Sequence, residues 1–337
     1  MCGHDSFPES INKDGLSMNS TRLRLAFASA SVSVLLVGCG GTANVNTAPV
    51  IPTYVKTSTI LLNEEKIVDA MSVGVDISGV IVLDSSVRRP DVTNLTQGSI
   101  DYSSQAKFTY NNDGTIKKIS VVTANESMTW ENSAMMTNFV EDTFGMGILI
   151  AANKPAELRG NVALFVNPAV TDTINYNYQT FGFWTGAEDF GDNTWSGYLR
   201  AMSVGTPTAG VSIPTSGNST FRGYTTGVFH EPSVIRVTAS ELIINADHLT
   251  RNVTFVTTNT YKGNGNTRIS ADELNMTGSL TYTPATNTIT GGAVTANGMA
   301  GSASGRFYGP SADEIGGVFL LDDGSITSYI GSFGGKQ

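Results

Sequence analysis

Apolar and polar positions alternate with period two along most of this chain, the pattern of strands with one buried face. Residues 73–83 (VGVDISGVIVL) alternate in this way. Residues 105–110 and 115–123 flank Asn111-Asn112-Asp113-Gly114, an Asx-Gly signal that predicts a hairpin because glycine accepts positive φ. A further strand is expected at 158–166. One segment differs: in 133–144 (SAMMTNFVEDTF), Met135, Met136, Phe139 and Val140 fall at helical spacing and predict a short helix. From 173 onward the strand rhythm returns at 173–184, 198–204, 219–229, 234–244, 252–259, 268–282, 288–296, 305–319 and 325–333. Pro284-Ala285-Thr286-Asn287 and Asp322-Asp323-Gly324 supply turn signals between them. Around eight strands with few helices predict an antiparallel barrel, which leaves no open sheet edge.

The first residues have a different pattern. From Met18, Arg22 and Arg24 form a short positive region. An apolar and small-residue stretch at 25–37 follows, too short to span a bilayer. It ends in Leu36-Val37-Gly38-Cys39, a lipobox in which the small residue admits a peptidase and the Cys39 thiol can take a thioether-linked diacylglycerol. This predicts a lipoprotein signal with Cys39 as the lipid attachment site. The polar residues 1–17 fit neither a signal nor a fold and are read as an upstream mis-called start. Gly40 rather than Asp after the cysteine favours the outer membrane of a Gram-negative cell. Residues 40–57, without periodicity, read as a tether.

Composition narrows the class. The net charge is −9, and the acids and bases of residues 1–38 cancel, so the mature chain keeps it. Such a surface disfavours nucleic acid and repels anionic lipid, so acylation must hold the chain at a bilayer. Cys2 and Cys39 are the two cysteines, so the mature protein has no disulfide and depends on its core and strand pairing. Charged residues make up 15%, and the 36 glycines suit sheets and tight turns.

Catalytic chemistry has little to rest on. His230 and His248 lie in no spaced metal motif, and their acidic neighbours Glu231 and Asp247 would face away from them on a strand. No G-x-S-x-G or phosphate-cradling loop occurs, so the protein is read as a non-enzyme without a resident cofactor or metal. A haem-binding alternative would need His230, His248, or a tyrosine or methionine as axial ligand. Binding candidates are better. The stretch 184–195 (WTGAEDFGDNTW) is acidic and aromatic, and Trp195, Phe190, Glu188 and Asp189 are candidate ligand contacts. Met135 and Met136 offer an adaptable surface in the 130–147 stretch. Core packing is the favoured reading for Trp184 and for the methionines, and stands level with surface contact for Trp195.

Several spaced motifs carry a resemblance. Gly182-Phe183-Trp184, 203–208 (SVGTPT), 214–217 (PTSG), Phe221-Arg222-Gly223, and above all 305–310 (GRFYGP) with 314–319 (EIGGVF) resemble the transferrin-binding protein B barrel family. The ending 331–337 (GSFGGKQ) is similar to that family's closing strand. The resemblance implies a mainly β surface lipoprotein, with an N-terminal handle domain followed by an eight-stranded antiparallel up-and-down β-barrel. The expected domains are 1–38 mis-called start and signal, 39–57 tether, 58–172 handle and 173–337 barrel. The chain has room for one such unit where transferrin-binding protein B has two. The relatives bind transferrin, haem, haemoglobin or complement factor H. The resemblance therefore implies a protein partner, a link to iron acquisition, and export machinery for surface lipoproteins. Phe307, Phe319 and Phe333 are expected inside the barrel, with Gly309-Pro310 and Gly316-Gly317 serving turns or tight strand packing.

Overall fold

In the computed structural model the residues described are 54, 66–84, 87–111, 116–124, 126–131, 148–152, 162–166, 174–232, 234–264 and 267–337. The alternating segments pair into two sheets. The first holds β1 (Lys66–Asp84), β2 (Val87–Gln97), β3 (Gln105–Tyr110), β4 (Ile116–Val122), β5 (Ser127–Glu131), β6 (Ile148–Ala152), β7 (Val162–Val166), β8 (Gln179–Asp189) and β9 (Thr194–Gly205). Their order is β5-β4-β3-β1-β9-β8-β7-β6, and β2 pairs with the second half of β1.

The second sheet closes on itself. It holds β10 (Asn218–Glu231), β11 (Val234–Asp247), β12 (Asn252–Asn264), β13 (Thr267–Ser270), β14 (Met276–Thr283), β15 (Thr288–Thr295), β16 (Ala300–Tyr308), β17 (Glu314–Asp322) and β18 (Ser328–Lys336). Strands β10, β11, β12, β14, β15, β16, β17 and β18 pair antiparallel in sequence order, and β18 returns to β10. Short β13 pairs with the end of β12. This is the eight-stranded up-and-down barrel expected from the sequence.

Alternation builds three cores. Inside the barrel, Phe221, Leu242, Phe255, Phe307, Phe319 and Phe333 are buried together. The predicted phenylalanines are thus barrel filling. Outward-facing Tyr224, Val228, Val318, Leu320 and Ile330 join Val73, Val75, Ile77, Phe183 and Leu199 of the first sheet in a second core. Strands β17 and β18 are therefore buried on both faces over eight of their nine residues. The third core lies within the curl of the first sheet, where the Trp130 and Trp184 rings approach to 5.9 Å.

Polar contacts fasten the two sheets where a fully apolar seam would leave backbone groups unpaired. Glu314 is fully buried and accepts the backbone N–H groups of Asn177 (2.5 Å) and Tyr178 (3.1 Å). The Gln179 amide donates to the carbonyls of Ile315 and Gly335 at 2.9 and 3.1 Å. This close approach requires Gly316, whose added Cβ would lie 2.0 Å from Gln179 Oε1. Tyr176 donates to the Gly334 carbonyl, and Ser332 to that of Gly182.

Three expectations change. The barrel domain was expected from residue 173, yet β8 pairs with β7 and β9, and β9 with β1, so both belong to the first sheet. The closed barrel takes in 218–336. Residues 174–178 are irregular because Glu314 and Gln179 claim their backbone and that of the barrel rim. The single run 305–319 divides at a turn where Gly309 has φ +86°, giving β16 and β17. The run 268–282 likewise divides at a 3-10 turn, Asp272–Leu274. The expected helix at 133–144 lies outside the described residues.

Candidate functional site

The β8–β9 hairpin sets one end of the first sheet. Its register pairs Glu188 with Ser196 and Asp189 with Trp195, leaving 190–193 as the tip. Gly191 (φ +80°) and Asn193 (φ +67°) take left-handed conformations that make the tight reversal. Asp192 accepts the backbone N–H of Thr194 at 2.9 Å and also its hydroxyl, and these bonds hold its carboxyl below the usual value. The tip is tied to its neighbours by Phe190 N–H to the Thr194 carbonyl (3.1 Å) and Ile81 N–H to the Asn193 carbonyl (2.7 Å). A fixed loop thus presents Phe190, 55% exposed, beside the exposed Val80 and Val82 of β1.

Next to the tip, strand register assembles a polar groove. One cross-strand row runs Asn94, Ser78, Ser196, Glu188 and the next runs Thr96, Asp76, Tyr198, Gly186, across β2, β1, β9 and β8. Small residues Gly186, Ala187 and Gly197 leave a cavity of about 460 Å³ over these rows. Arg200 bounds it. Its guanidinium lies 5.2 Å from the Tyr198 ring centre, bonds Glu126 (3.1 Å) and the Val75 and Leu199 carbonyls, and meets Asp76 at 2.5 Å. Partial burial, with the Glu126 charge, pushes the Tyr198 hydroxyl up to about 12, so it remains a neutral donor, held 3.3 Å from Met128 Sδ. Asp76 is 65% exposed on its side chain, and Glu188 is exposed. The groove can therefore take hydrogen-bonding groups along its floor and a cation at its rim.

The predicted contacts divide. Phe190 and Glu188 lie on this surface, and Asp189 ends β8 beside it. Trp195 does not act as a surface anchor. It is 5% exposed and packs with Ile77 and Leu199, because alternation from Ser196 turns it to the opposite face. Trp184 is likewise core. Cys39, Met135 and Met136 lie outside the described residues. The sequence missed Asp76, Ser78, Asn94, Thr96 and Tyr198, whose meeting depends on register across four strands and not on any motif.

The histidines are structural. His248 bonds Ser219 Oγ through Nε2 (2.9 Å) and Tyr282 Oη through Nδ1 (3.0 Å). His230 is fully buried, with Nδ1 3.0 Å from the Ile326 carbonyl. Burial lowers the pKa of both, and neither presents a ring nitrogen to an open face. Among the described residues no three His, Cys, Asp or Glu side chains gather as a metal site.

One more contact orients the body. The Tyr54 hydroxyl accepts the backbone N–H of Ala209 (2.8 Å), and its ring meets Tyr178 edge-on at 6.4 Å. Tyr178 precedes β8 and Ala209 follows β9, so Tyr54 sits at the end of the hairpin opposite its tip. The 11 residues of β8 separate those ends by about 36 Å.

No curated protein matches the chain. Residues 213–337 match the family model described as C-lobe and N-lobe beta barrels of Tf-binding protein B. Among solved structures, the chain is similar to transferrin binding protein B of Haemophilus parasuis Hp5, at 13% identity and TM-score 0.37, covering 81% of this chain and 76% of that one. It is similar to the N-lobe domain of lactoferrin binding protein B of Moraxella bovis, at 14% identity and TM-score 0.39, covering 79% and 98%. It is also similar to isotype 1 transferrin binding protein B of serogroup B Neisseria meningitidis, at 16% identity and TM-score 0.36, covering 71% and 52%. The family model falls on the strands that close the barrel, so residues 213–337 are similar to the transferrin-binding protein B barrels.

Proposed function

We propose that this protein is a lipid-anchored binding protein or co-receptor on the outer surface of a Gram-negative cell. In this reading export machinery for surface lipoproteins delivers it, Cys39 holds it in the outer membrane, and the β8–β9 tip with its groove captures a protein partner. The observation that carries the reading is the opposition of Tyr54 and the tip. Tyr54, fifteen residues beyond Cys39 in the sequence, docks at one end of the hairpin, and an exposed, conformationally fixed aromatic stands at the other. Phe190 serves as the buried anchor of the complex, and exposed Glu188 receives a basic side chain at its rim. The relatives named for binding transferrin or lactoferrin support an iron-carrying host protein as the partner class.

The test is binding of the mature chain to transferrin, lactoferrin and haemoglobin by surface plasmon resonance, with the Phe190→Ala and Glu188→Ala variants beside it. Phe190→Ala is expected to weaken the complex by about 30-fold, the loss typical of a central anchor. As a surface change it should alter stability by only about 0.5 kcal/mol. Equal affinity of variant and parent would remove the tip from the interface. Absence of binding to all three proteins would remove this partner class.

A further inference from the structure

The barrel end that receives Tyr54 also carries the two most exposed large apolar side chains among the described residues, Leu249 (75%) and Val211 (70%). Val211 lies on the 3-10 turn Gly210–Ser212, two residues from Ala209, the backbone partner of Tyr54. Leu249 lies in the β11–β12 turn. The two loops are joined by the His248 N–H to the Gly217 carbonyl at 2.9 Å. Both loops are built rigidly. Asp247 accepts the N–H groups of Leu249 (2.9 Å) and Thr250 (3.1 Å), which holds Leu249 pointing outward and ties up the one acid of that turn. Exposed Arg251 follows at φ +62°. Two aliphatic tips on pinned turns, with a cation beside one of them, gain nothing from water, and the next most exposed large apolar side chain among the described residues, Phe190, reaches only 55%.

We infer that this barrel end is a membrane-docking surface, with Val211 and Leu249 entering the headgroup region of the phospholipid bilayer that holds the acylated Cys39. The inference rests on the lipid-anchor reading above. Chain length fits it. Fifteen residues separate Cys39 from Tyr54, an extended reach of about 50 Å, so the barrel end can lie on the surface without strain. Charge fits as well. A body of net charge −9 is repelled by anionic lipid, so contact must be local, through apolar tips and Arg251. The diacylglycerol proposed for Cys39 tethers the chain through a flexible segment, and two inserted aliphatic side chains add a second point of contact that fixes the body's orientation. Docking would set the β8–β9 tip away from the membrane.

Because Cys39 is the one cysteine of the mature chain and is acylated, single cysteines can be placed at chosen sites and labelled. The lipidated full chain carrying Val211→Cys, Leu249→Cys or Phe190→Cys, labelled with an environment-sensitive fluorophore, is reconstituted on phosphatidylethanolamine–phosphatidylglycerol vesicles. Expected are a blue shift and quenching by nitroxide lipids at positions 211 and 249, and neither at 190. Vesicle flotation of the protein with water-like emission at 211 and 249 overturns the docking surface while leaving the anchor intact. Equal shifts at all three positions overturn the orientation. Failure of the protein to float with the vesicles removes the anchor reading, and the docking surface with it.

Discussion

Truncation of Phe307 to alanine is expected to cost about 3–5 kcal/mol of folding stability, the usual loss for a large aromatic deleted from a core that cannot collapse around the gap. Phe307 is fully buried and meets Phe221 at 6.0 Å, Tyr282 edge-on at 5.2 Å and His248 at 5.9 Å. Its backbone is fixed as well, with its N–H donating to Asn287 Oδ1 at 2.9 Å. The barrel wall around it is a closed ladder, so neighbouring strands cannot move inward without breaking hydrogen bonds. Since domains carry about 5–15 kcal/mol in total, the variant should lie near the edge of folding. Chemical denaturation of parent and variant measures the difference. A loss below about 1 kcal/mol would show that the rings at this barrel end do not pack as one cluster.

The second large effect concerns pH. Burial pushes the Glu314 carboxyl up from 4.5 to about 7, against the pull of the Asn177 and Tyr178 N–H groups and the Lys336 charge. A carboxyl whose folded value lies above its unfolded one favours the native state in its protonated form. Its contribution is fully present below about 4.5 and is lost as pH rises through about 7. Between pH 4.5 and pH 8 the loss from this group should be on the order of 3 kcal/mol. Glu314→Gln removes the ionisation and keeps a carbonyl acceptor for one of the two N–H groups, so it should be less stable than the parent at low pH yet vary less over that range. Parallel curves for parent and Glu314→Gln would mean that the carboxylate stays charged in the native state, stabilised by its donors.

These two residues also mark what the sequence could and could not disclose. Phe307 is read as barrel filling from the motif it stands in, and it lies in the barrel core. Glu314 stood in the most recognisable motif of the chain without any sign of its task, since its partners lie 136 and 137 residues away. Period two announces a strand but never its neighbour. The strands at 179–189 and 194–205 were therefore foreseen as strands yet assigned to the wrong sheet. Strand β2, with Arg88, Arg89, Pro90 and Asp91 at its start, has no alternation to read. It exists because the long β1 offers it a free edge. At the candidate site, the acidic and aromatic character of the hairpin is legible, and Phe190 and Glu188 are exposed on it. Trp195 did not, because in a tight hairpin one residue decides between surface and core. The groove beside the tip arises from register alone.

The strands buried on both faces have a consequence for dissecting the molecule. Cutting the chain between Gly205 and Asn218 would separate two sheets that look independent along the sequence, but β17 and β18 serve as wall for one and floor for the other. A barrel fragment would present Tyr224, Val318, Leu320 and Ile330 to solvent as a contiguous apolar face. The first sheet alone would lose the side chains on which Val73, Val75 and Phe183 rest. Expressed separately, each half would be prone to self-association, and the unit that can be inherited, recombined or engineered as a whole is the pair.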